Sequence, residues 1–330
     1  MFLRIAAATV FASLGLPAAA LCVGDNYLDQ LSDEQRRDLD EMVADIPYSS
    51  GLVWEAQKGA DHLTVVGTMH LYDPRLEPIL DRVDENVSAA DIILVEASPE
   101  DQAALQQTMT SDPSMLFITE GPTLPELLEE DTWMMLADAG ADRNIPAIVL
   151  AKMQPWYVSI VLSMPPCAME DAIAGRVGLD HMIMATASES NVPVLSLEDP
   201  MQLFDIFRDE PLEEQLDVLR MGLMEPDLQQ QMFVAMLDRY FAEDIGTLWE
   251  MTRLAMDDVP ALSTEEATAL FNDTQAALLD ERNANWMPVI TKATEEHDDI
   301  IVAVGAAHLI GENGILNLLA NDGWTLTAKD

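Results

Sequence analysis

The chain has 330 residues, 49% of them hydrophobic, so it can bury one large core or two modest ones. Its 59 acidic and 16 basic residues give a formal net charge of −43, which argues against nucleic acid and anionic membranes as partners. Solubility in salty surroundings would explain this charge, and attraction of metal cations or of a basic substrate is the alternative.

The first 20 residues have the pattern of a secretory signal peptide. A short positive segment, residues 1–4, precedes an apolar run over residues 5–16, and an Ala-x-Ala cleavage site ends near Ala20. This pattern is typical of bacterial export, so we expect a periplasmic or secreted protein. Cys22 allows a lipoprotein alternative, which the large Leu21 before it disfavours. Since no later segment is a clean apolar span, no stable membrane insertion is expected after signal cleavage.

Cys22 and Cys167 are the two cysteines of the chain. Both fall after the predicted cleavage site, and an exported protein meets an oxidising compartment, so we predict a disulfide between them. Two unpaired buried thiols are the alternative. Neither cysteine has a histidine nearby in sequence, so a thiol nucleophile is not expected.

The first half of the chain alternates between helical and extended patterns. Apolar periodicity predicts helical regions over residues 28–46, 76–87 and 99–143. Short apolar runs predict strands over residues 52–56, 63–66, 92–95 and 147–150. The first two of these strands are separated by a turn-forming segment, which predicts a β-hairpin.

The second half contains a long acidic helical region between strands. Strands are predicted over residues 192–197, 300–304 and, at the edge of the sheet, 324–327, with a helix over residues 314–320. Residues 201–279 have the pattern of four or five helices, which we interpret as a helical insertion. The prediction is an α/β (α+β) protein in which one domain, residues 21–330, has a mixed sheet, flanking helices and this insertion.

Four predicted strands lead into ionisable residues. The strands over residues 63–66, 92–95, 192–197 and 300–304 are followed by His70, Glu96, Glu198 and His308. In open α/β sheets, ligands bind beyond the carboxyl ends of the strands. If these strands are parallel neighbours, we therefore expect the four side chains to converge on one crevice.

Two of these residues belong to Gly-x-x-His motifs, Gly67-Thr68-Met69-His70 and Gly305-Ala306-Ala307-His308. One such motif is weak evidence for a site, but the repetition in the same strand-then-glycine context strengthens it. Glycine at a strand end lets the backbone turn sharply or lets a ligand approach closely. The alternative is that both histidines are loop or core residues that hydrogen-bond to backbone carbonyls.

Two imidazoles and one carboxylate are a familiar set of ligands for a divalent metal ion. Neutral imidazole is also a general base near neutral pH, so the same residues could act without metal. Glu96 has a competing interpretation as a helix cap near Ser98 or as the partner of an arginine. Asp180 and Glu198 are more typical of caps or ion pairs.

Arg282 lies on the buried face of a predicted helix. Leu278, Arg282 and Trp286 are spaced by four residues, so the guanidinium rises from the face that its two apolar neighbours bury. An inward arginine requires a carboxylate or an anionic ligand. A purely structural ion pair, with Glu96 or Asp180, is the alternative.

The chain resembles the TraB/GumN family, which includes the Tiki metalloproteases, over roughly residues 45–328. The resemblance rests on elements in the family's order: Gly67-Thr68-Met69-His70 with Asp73-Pro74-Arg75, Val95-Glu96, Gly178-Leu179-Asp180, residues 192–198 with Gln202, Glu281-Arg282-Asn283 with Trp286 and Ile290, and Gly305-Ala306-Ala307-His308. Together these elements are specific, although each one alone is not.

The resemblance implies a fold related to the erythromycin esterases and ChaN-like proteins, with a metal-dependent peptidase centre. It implies a divalent cation, manganese, cobalt or zinc, bound by His70, Glu96 and His308. Arg282 would join these three as a catalytic residue, and the residues implied to line the cofactor site are Gly67, Gly305, Asp180 and Asn283. A peptide or protein would be the substrate.

Two other functions are compatible with the same residues. One is metal-free ester hydrolysis with a histidine as general base, as in erythromycin esterases. The other is a non-catalytic periplasmic protein that binds haem or iron through a histidine, as ChaN-like proteins do. The sequence predicts no particular oligomeric state.

Overall fold

A six-stranded mixed sheet forms the centre of the computed structural model, which describes residues 22–257 and 263–329. The predicted signal peptide lies outside the described residues. In chain order the strands are β1 (Val53–Lys58), β2 (Asp61–Thr68), β3 (Ile92–Val95), β4 (Val194–Ser196), β5 (Asp299–Gly305) and β6 (Thr325–Ala328). Their order across the sheet is β4-β3-β5-β2-β1-β6.

Four neighbouring strands, β4, β3, β5 and β2, are parallel, and β1 and β6 complete the sheet with antiparallel pairings. In register, Thr68 of β2 lies opposite Gly305 of β5, and Val95 of β3 lies opposite Ala303 of β5. The carboxyl ends of these strands therefore meet at one edge, as predicted. The mixed sheet with flanking helices confirms the predicted fold class.

The sequence of each strand matches its place in the sheet. All four residues of β3 are buried, as expected for a parallel strand covered on both faces. β5 likewise buries five consecutive residues. By contrast β6, at the antiparallel edge, exposes three of its four residues. Continuous apolar runs therefore mark β3 and β5, whereas β4, the strand at the other edge, has no buried residue.

Ten helices precede β4, and seven follow it within the described residues. The first ten are α1 (Tyr27–Gln30), α2 (Asp33–Ala44), α3 (Glu77–Ala89), α4 (Pro99–Ser111), α5 (Leu124–Leu127), α6 (Glu130–Asp142), α7 (Ala147–Leu150), α8 (Pro155–Ser163), α9 (Pro166–Ile173) and α10 (Leu179–Ser190). The others are α11 (Pro200–Arg208), α12 (Leu212–Met221), α13 (Pro226–Phe241), α14 (Ile245–Asp257), α15 (Thr264–Gln275), α16 (Glu281–Glu296) and α17 (Ile315–Asn321).

Short helical turns connect several of these elements. Three are 3₁₀ helices, at Pro74–Leu76, Pro113–Met115 and Ala306–His308. A π-helical turn, Ala276–Asp280, joins α15 to α16. The acidic region predicted as helical thus contains the five helices α11 to α15, and the π turn leads directly into the helix of Arg282.

The prediction of a strand over residues 147–150 is wrong, because this segment is helix α7. A four-residue apolar run does not distinguish a strand from a helix by periodicity. Here Pro146 sits at the helix N-cap, and its carbonyl accepts hydrogen bonds from the backbone N–H groups of Val149 and Leu150. Leu150 is buried in a small core built by helices, away from the sheet.

The helices and the sheet share one main core. It includes Val83 of α3, Ile183 of α10, Trp286 of α16 and Leu316 of α17, all of which are fully buried with the central strands. A second cluster lies among α5, α6, α7, α8 and α12. The helix that carries Arg282 is therefore held rigidly against the sheet.

Cys22 and Cys167 form a disulfide, as predicted, with their Cα atoms 5.3 Å apart. The bond joins the segment before α1 to helix α9 across 145 residues of sequence. Within the described part of the chain, no helix is both long enough and apolar enough to span a bilayer. The apolar stretch of α8 and α9 is divided by Pro165 and Pro166.

Candidate active site

The carboxyl ends of the four parallel strands open into a pocket of about 210 Å³. His70 follows β2, Glu96 follows β3 and Glu198 follows β4, and all three side chains line the pocket. Arg282 reaches the same pocket from helix α16. His308 lies in the turn after β5 and is buried behind this lining, with 4% of its surface exposed.

Arg282 is the centre of the polar network, and all five of its N–H donors have acceptors. Nη2 donates to Glu96 at 2.7 Å and to Glu198 at 2.5 Å. Nε donates to the Glu198 carboxylate at 3.0 Å. Nη1 donates to the Leu278 carbonyl at 2.9 Å and faces Nε2 of His308 at 3.1 Å. The guanidinium is therefore fixed in position and paired with two carboxylates.

Glu96 is held as a carboxylate by contacts to both of its oxygens. Oε2 accepts from Arg282, and Oε1 accepts from the backbone N–H of Gly305 at 2.8 Å. Burial alone would raise the pKa of Glu96, but the charges of His308, His70 and Arg282 and the Gly305 hydrogen bond outweigh it and lower the pKa to about 2. Above pH 3 His308 is uncharged, so Arg282 and His70 are the cations that act near neutrality.

His70 is the exposed histidine of the pair, with 60% of its side chain accessible. Its Nδ1 lies 3.1 Å from Asp180, and its Nε2 lies 3.8 Å from Oε1 of Glu96. Burial of the ring's inner side opposes the charge, but the hydrogen bond to Asp180 and the two carboxylates outweigh it and raise the pKa of His70 to about 9. Water at the exposed side of the ring screens part of this attraction.

His308 has the opposite environment. Its Nδ1 lies 2.8 Å from Oδ1 of Asn283, while its Nε2 accepts from Arg282. The ring is therefore neutral, with its proton on Nδ1. Burial and the positive charges of Arg282 and His70 lower the pKa of His308 to about 3, although Glu96 opposes the shift. The ring packs on Trp286 with centroids 4.4 Å apart.

Asn283 fixes the backbone around His308. Its Nδ2 donates to the carbonyl of Asn313 at 2.9 Å and to that of His308 at 3.3 Å. Asn283 is 1% exposed and does not reach the pocket, so it contacts the turn rather than a ligand. Trp286, three residues further along α16, donates from its indole to Glu198 at 3.1 Å.

The two motif glycines face opposite sides of the sheet. A Cβ on Gly305 would lie 3.2 Å from Oε1 of Glu96 and 4.0 Å from Nε2 of His70, so the glycine keeps this space open. A Cβ on Gly67 would lie 2.8 Å from a methyl group of Leu309. Gly305 therefore borders the site, whereas Gly67 lets β2 pack closely against the turn after His308.

Some residues of the pocket were missed or undervalued in the sequence. Glu198 follows a strand as Glu96 does, and that signal was available. His181 lies beside Asp180, whose Oδ2 is 3.0 Å from His181 Nδ1, and Gln102 lies 3.1 Å from His181 Nε2. Thr68 lines the pocket from inside the first motif. For His181, Gln102 and Thr68, the sequence contained no pattern that marked them.

Two side chains of the pocket, His70 and Glu96, offer ligand atoms that fit one divalent cation. Nε2 of His70 and Oε1 of Glu96 both face the pocket, and the carboxylate of Asp180 orients the far side of the imidazole, as is usual for metal-binding histidines. Nε2 of His308, in contrast, is already engaged by Arg282. Within residues 22–257 and 263–329, no group of three or more ligand side chains is preformed for a metal ion.

The sequence profile of the TraB/PrgY/gumN family matches residues 52–328, which is most of the chain and includes every residue of the network. The chain belongs to the TraB/PrgY/gumN family. The resemblance found in the sequence is thereby confirmed. The order of these motifs along the chain corresponds to strands that share one edge of the sheet.

Two curated relatives of the same family were found. The uncharacterized protein YbaP of Escherichia coli (strain K12) is 21% identical over 264 residues, which cover 79% of this chain and 89% of the relative. The uncharacterized protein YbaP of Shigella flexneri matches with the same identity and coverage. The similarity therefore covers most of this chain and most of each relative.

Proposed function

We propose that this protein is a hydrolase, specifically a metal-dependent peptidase, whose site activates water for attack on a peptide carbonyl. The observation that carries the proposal is the Glu96 carboxylate, held between Arg282 and Gly305 with its free side toward His70 in an open pocket. In the reaction, the water oxygen adds to the carbonyl carbon, the C–N bond breaks, and the amine leaves with a proton from the water.

The charge of the site supports a bound cation. Three carboxylates, Asp180, Glu96 and Glu198, line the pocket together with one guanidinium, that of Arg282, which pairs with the two glutamates. The excess negative charge raises the pKa of His70, which then holds a proton at neutral pH. A divalent cation, manganese, cobalt or zinc, would replace that proton and neutralise the same charge.

His70 and Glu96 would hold this cation. When bound, it would lower the pKa of a water molecule and polarise the substrate carbonyl. Asp180 orients the His70 ring so that Nε2 faces the pocket. Glu96 is poised beside the reacting water, and its orientation is fixed by Arg282 and the Gly305 N–H.

Arg282 and His308 act as positioning residues in this proposal. Every N–H of Arg282 already has an acceptor, so the guanidinium orients Glu96 without a free donor for the developing oxyanion. His308 accepts from Nη1 and thereby holds Arg282 from behind. The second motif thus supports the arginine, while the first faces the substrate.

The test is metal-dependent cleavage by the purified chain lacking residues 1–20. The protein is treated with a chelator, dialysed, and assayed by mass spectrometry on a peptide library with added manganese, cobalt or zinc. Cleavage that returns with one metal and is abolished in His70→Ala supports the proposal. The matched control is His62→Ala, an exposed histidine at the other end of β2, which should cleave normally. Cleavage by the chelator-treated protein without added metal would exclude a metal-dependent mechanism.

Metal-free ester hydrolysis is the second candidate, and the bond between Arg282 Nη1 and His308 Nε2 favours it. Because that bond engages Nε2 of His308, His70 and Glu96 remain as ligands for a metal ion, whereas the sequence predicted three ligands. In this alternative, His70 is the general base, and its raised pKa predicts activity that increases with pH up to about 9. Hydrolysis of 4-nitrophenyl butyrate that survives exhaustive chelation would distinguish it.

We also propose that the protein acts after export, in the periplasm or outside the cell. The disulfide between Cys22 and Cys167 supports this, because such bonds persist in oxidising compartments. Cell fractionation of the tagged full-length chain tests it. Recovery with the cytoplasm, with residues 1–20 still attached, would contradict it.

A further inference from the structure

The floor of the pocket is a row of residues across three neighbouring strands. Residues that lie opposite each other in a parallel sheet point to the same face, and so do residues two apart in one strand. Val95 lies opposite Ala303, and Thr68 lies opposite Gly305, two residues beyond Ala303. The side chains of Val95, Ala303 and Thr68 all line the pocket, in agreement with this register.

Thr68 contributes the one hydroxyl in this row, and it is 3% exposed. Its Oγ1 has no hydrogen-bond partner among the residues that the structure describes. Burying an unpaired hydroxyl costs free energy, commonly about 1–3 kcal/mol. A valine of the same shape would fill this position without that cost, so the hydroxyl needs an explanation other than packing.

The open space beside Thr68 is bordered by the reactive groups of the site. Neighbouring strands lie about 4.8 Å apart, and the Gly305 position opposite Thr68 has no side chain. The point where a Cβ of Gly305 would lie is 3.2 Å from Oε1 of Glu96 and 4.0 Å from Nε2 of His70. The Thr68 side chain, Oε1 of Glu96 and Nε2 of His70 therefore lie at the same end of the pocket, with the bare Gly305 backbone between them.

We propose that the Thr68 hydroxyl binds the reacting water and holds it against Glu96 and His70. This inference rests on the proposed hydrolase function, because it assigns the water that the reaction consumes. It makes Thr68 a catalytic residue that contacts a reacting atom. It also accounts for the orphaned hydroxyl, whose partner would be this water at the carboxyl ends of β2 and β5.

The test compares Thr68→Val, which removes the hydroxyl but keeps the shape, with Thr68→Ser, which keeps the hydroxyl. Thr64→Val is the matched control in the same strand, since Thr64 is bonded to Asn86 near the surface. Measurements are kcat and KM on the peptide or ester that the wild type hydrolyses, together with the thermal unfolding midpoint of each variant.

We expect Thr68→Val to lower kcat about 10- to 100-fold with little change in KM, because one hydrogen bond to the reacting water is lost. Its unfolding midpoint should stay unchanged or rise, since an unpaired buried hydroxyl is removed. Thr68→Ser should stay within about threefold of the wild-type kcat, as the hydroxyl is retained. A purely structural role for Thr68 would not give lower activity with equal or higher stability.

Each other outcome overturns the proposal. Unchanged kcat in Thr68→Val removes Thr68 from the reaction and leaves the hydrolase function intact. A rise in KM alone assigns the hydroxyl to substrate binding rather than to water. A lower unfolding midpoint shows that the hydroxyl has a structural partner. If the wild type hydrolyses neither peptides nor esters, the proposed function fails, and the role of Thr68 fails with it.

Discussion

The two Gly-x-x-His motifs have the same spacing and follow adjacent parallel strands, yet their histidines have opposite properties. His70 is 60% exposed at the pocket, and its pKa is raised to about 9. His308 is buried, and its pKa is lowered to about 3. The motif therefore determines the position of the histidine after its strand, whereas the residues packed around the ring determine its charge.

Different partners cause this difference. Asp180 lies against the Nδ1 side of His70, so a carboxylate stabilises the proton there. His308 meets the amide of Asn283 on one side and the guanidinium of Arg282 on the other, and Trp286 covers its face. Burial and the guanidinium both disfavour the imidazolium, and the neutral amide oxygen offers no charge that would offset them. The same motif thus yields a cationic histidine at the pocket and a neutral one behind it.

The largest effect is expected from Arg282→Ala, which removes the group that joins the two motifs. Glu96 and Glu198 would remain buried without a cation, which costs about 3–5 kcal/mol of unfolding free energy. Hydrolysis should be lost as well, because Glu96 is no longer oriented. Urea denaturation and the peptide assay measure the two effects.

Arg220→Ala is the control for that variant. Arg220 forms an exposed ion pair with Asp217, so its loss should cost less than about 1 kcal/mol. If Arg282→Ala were as stable as Arg220→Ala, the buried network would contribute no stability. The claim that Arg282 joins and stabilises the two motifs would then be wrong.

The next effect separates the histidines directly. His308→Ala removes a buried ring packed on Trp286 and should cost about 2–4 kcal/mol of unfolding free energy. His70→Ala removes a ring with 60% of its side chain accessible, where water screens the ion pairs, so it should destabilise the protein less than His308→Ala does, while abolishing activity. Equal destabilisation by the two substitutions would contradict the contrast between their environments.

The pH dependence of the chelator-treated protein should differ in sign between the two rings. The folded-state pKa of His70 is above the unfolded value of 6.5, so its contribution to stability is complete below pH 6.5 and is lost as pH rises through about 9. The folded-state pKa of His308 is depressed, so its contribution is lost as pH falls from 6.5 toward about 3.

Nitrogen NMR of the imidazoles tests this without reference to activity. At pH 7, His70 should show protons on both ring nitrogens and His308 a single proton on Nδ1. Assignment of the spectra follows from His70→Ala and His308→Ala. Two rings that titrate together near pH 6.5 would show that their environments are alike in solution.

The smallest effect is expected from Asp180→Asn, which keeps the shape of the contact to His70 and removes its charge. The pKa of His70 should fall toward 6.5, because the largest favourable interaction with the imidazolium is weakened. The His70 NMR titration should move to lower pH while that of His308 stays in place. An unchanged His70 titration would mean that Glu96 alone sustains the charge.

The sequence predicted the strands of the site because their apolar runs are continuous, as in β3, and because each run ends at an ionisable residue. It also predicted that Arg282 faces inward. Of the two carboxylates that pair with Arg282, the sequence indicated Glu96 as a partner but did not indicate Glu198. Such pairs join residues far apart in sequence, so local periodicity carries no signal for them.

Other features depended on tertiary packing in the same way. The segment of α7 reads equally well as a strand, and only its distance from the sheet settles its conformation. Thr68 and His181 reach the pocket through sheet register and through the first turn of α10. Neither relation is visible in one sequence, because both require the neighbouring element to be in place.

The position of β5 has a consequence for when the candidate site can form. This strand is made near the end of the chain, yet it lies between β3 and β2 in the middle of the sheet. Pairing over such sequence distances is slow to form. Until β5 and α16 are in place, Glu96 has neither its arginine nor the Gly305 N–H. A chain still lacking β5 and α16 would therefore carry Glu96 without the contacts that orient it in the folded protein.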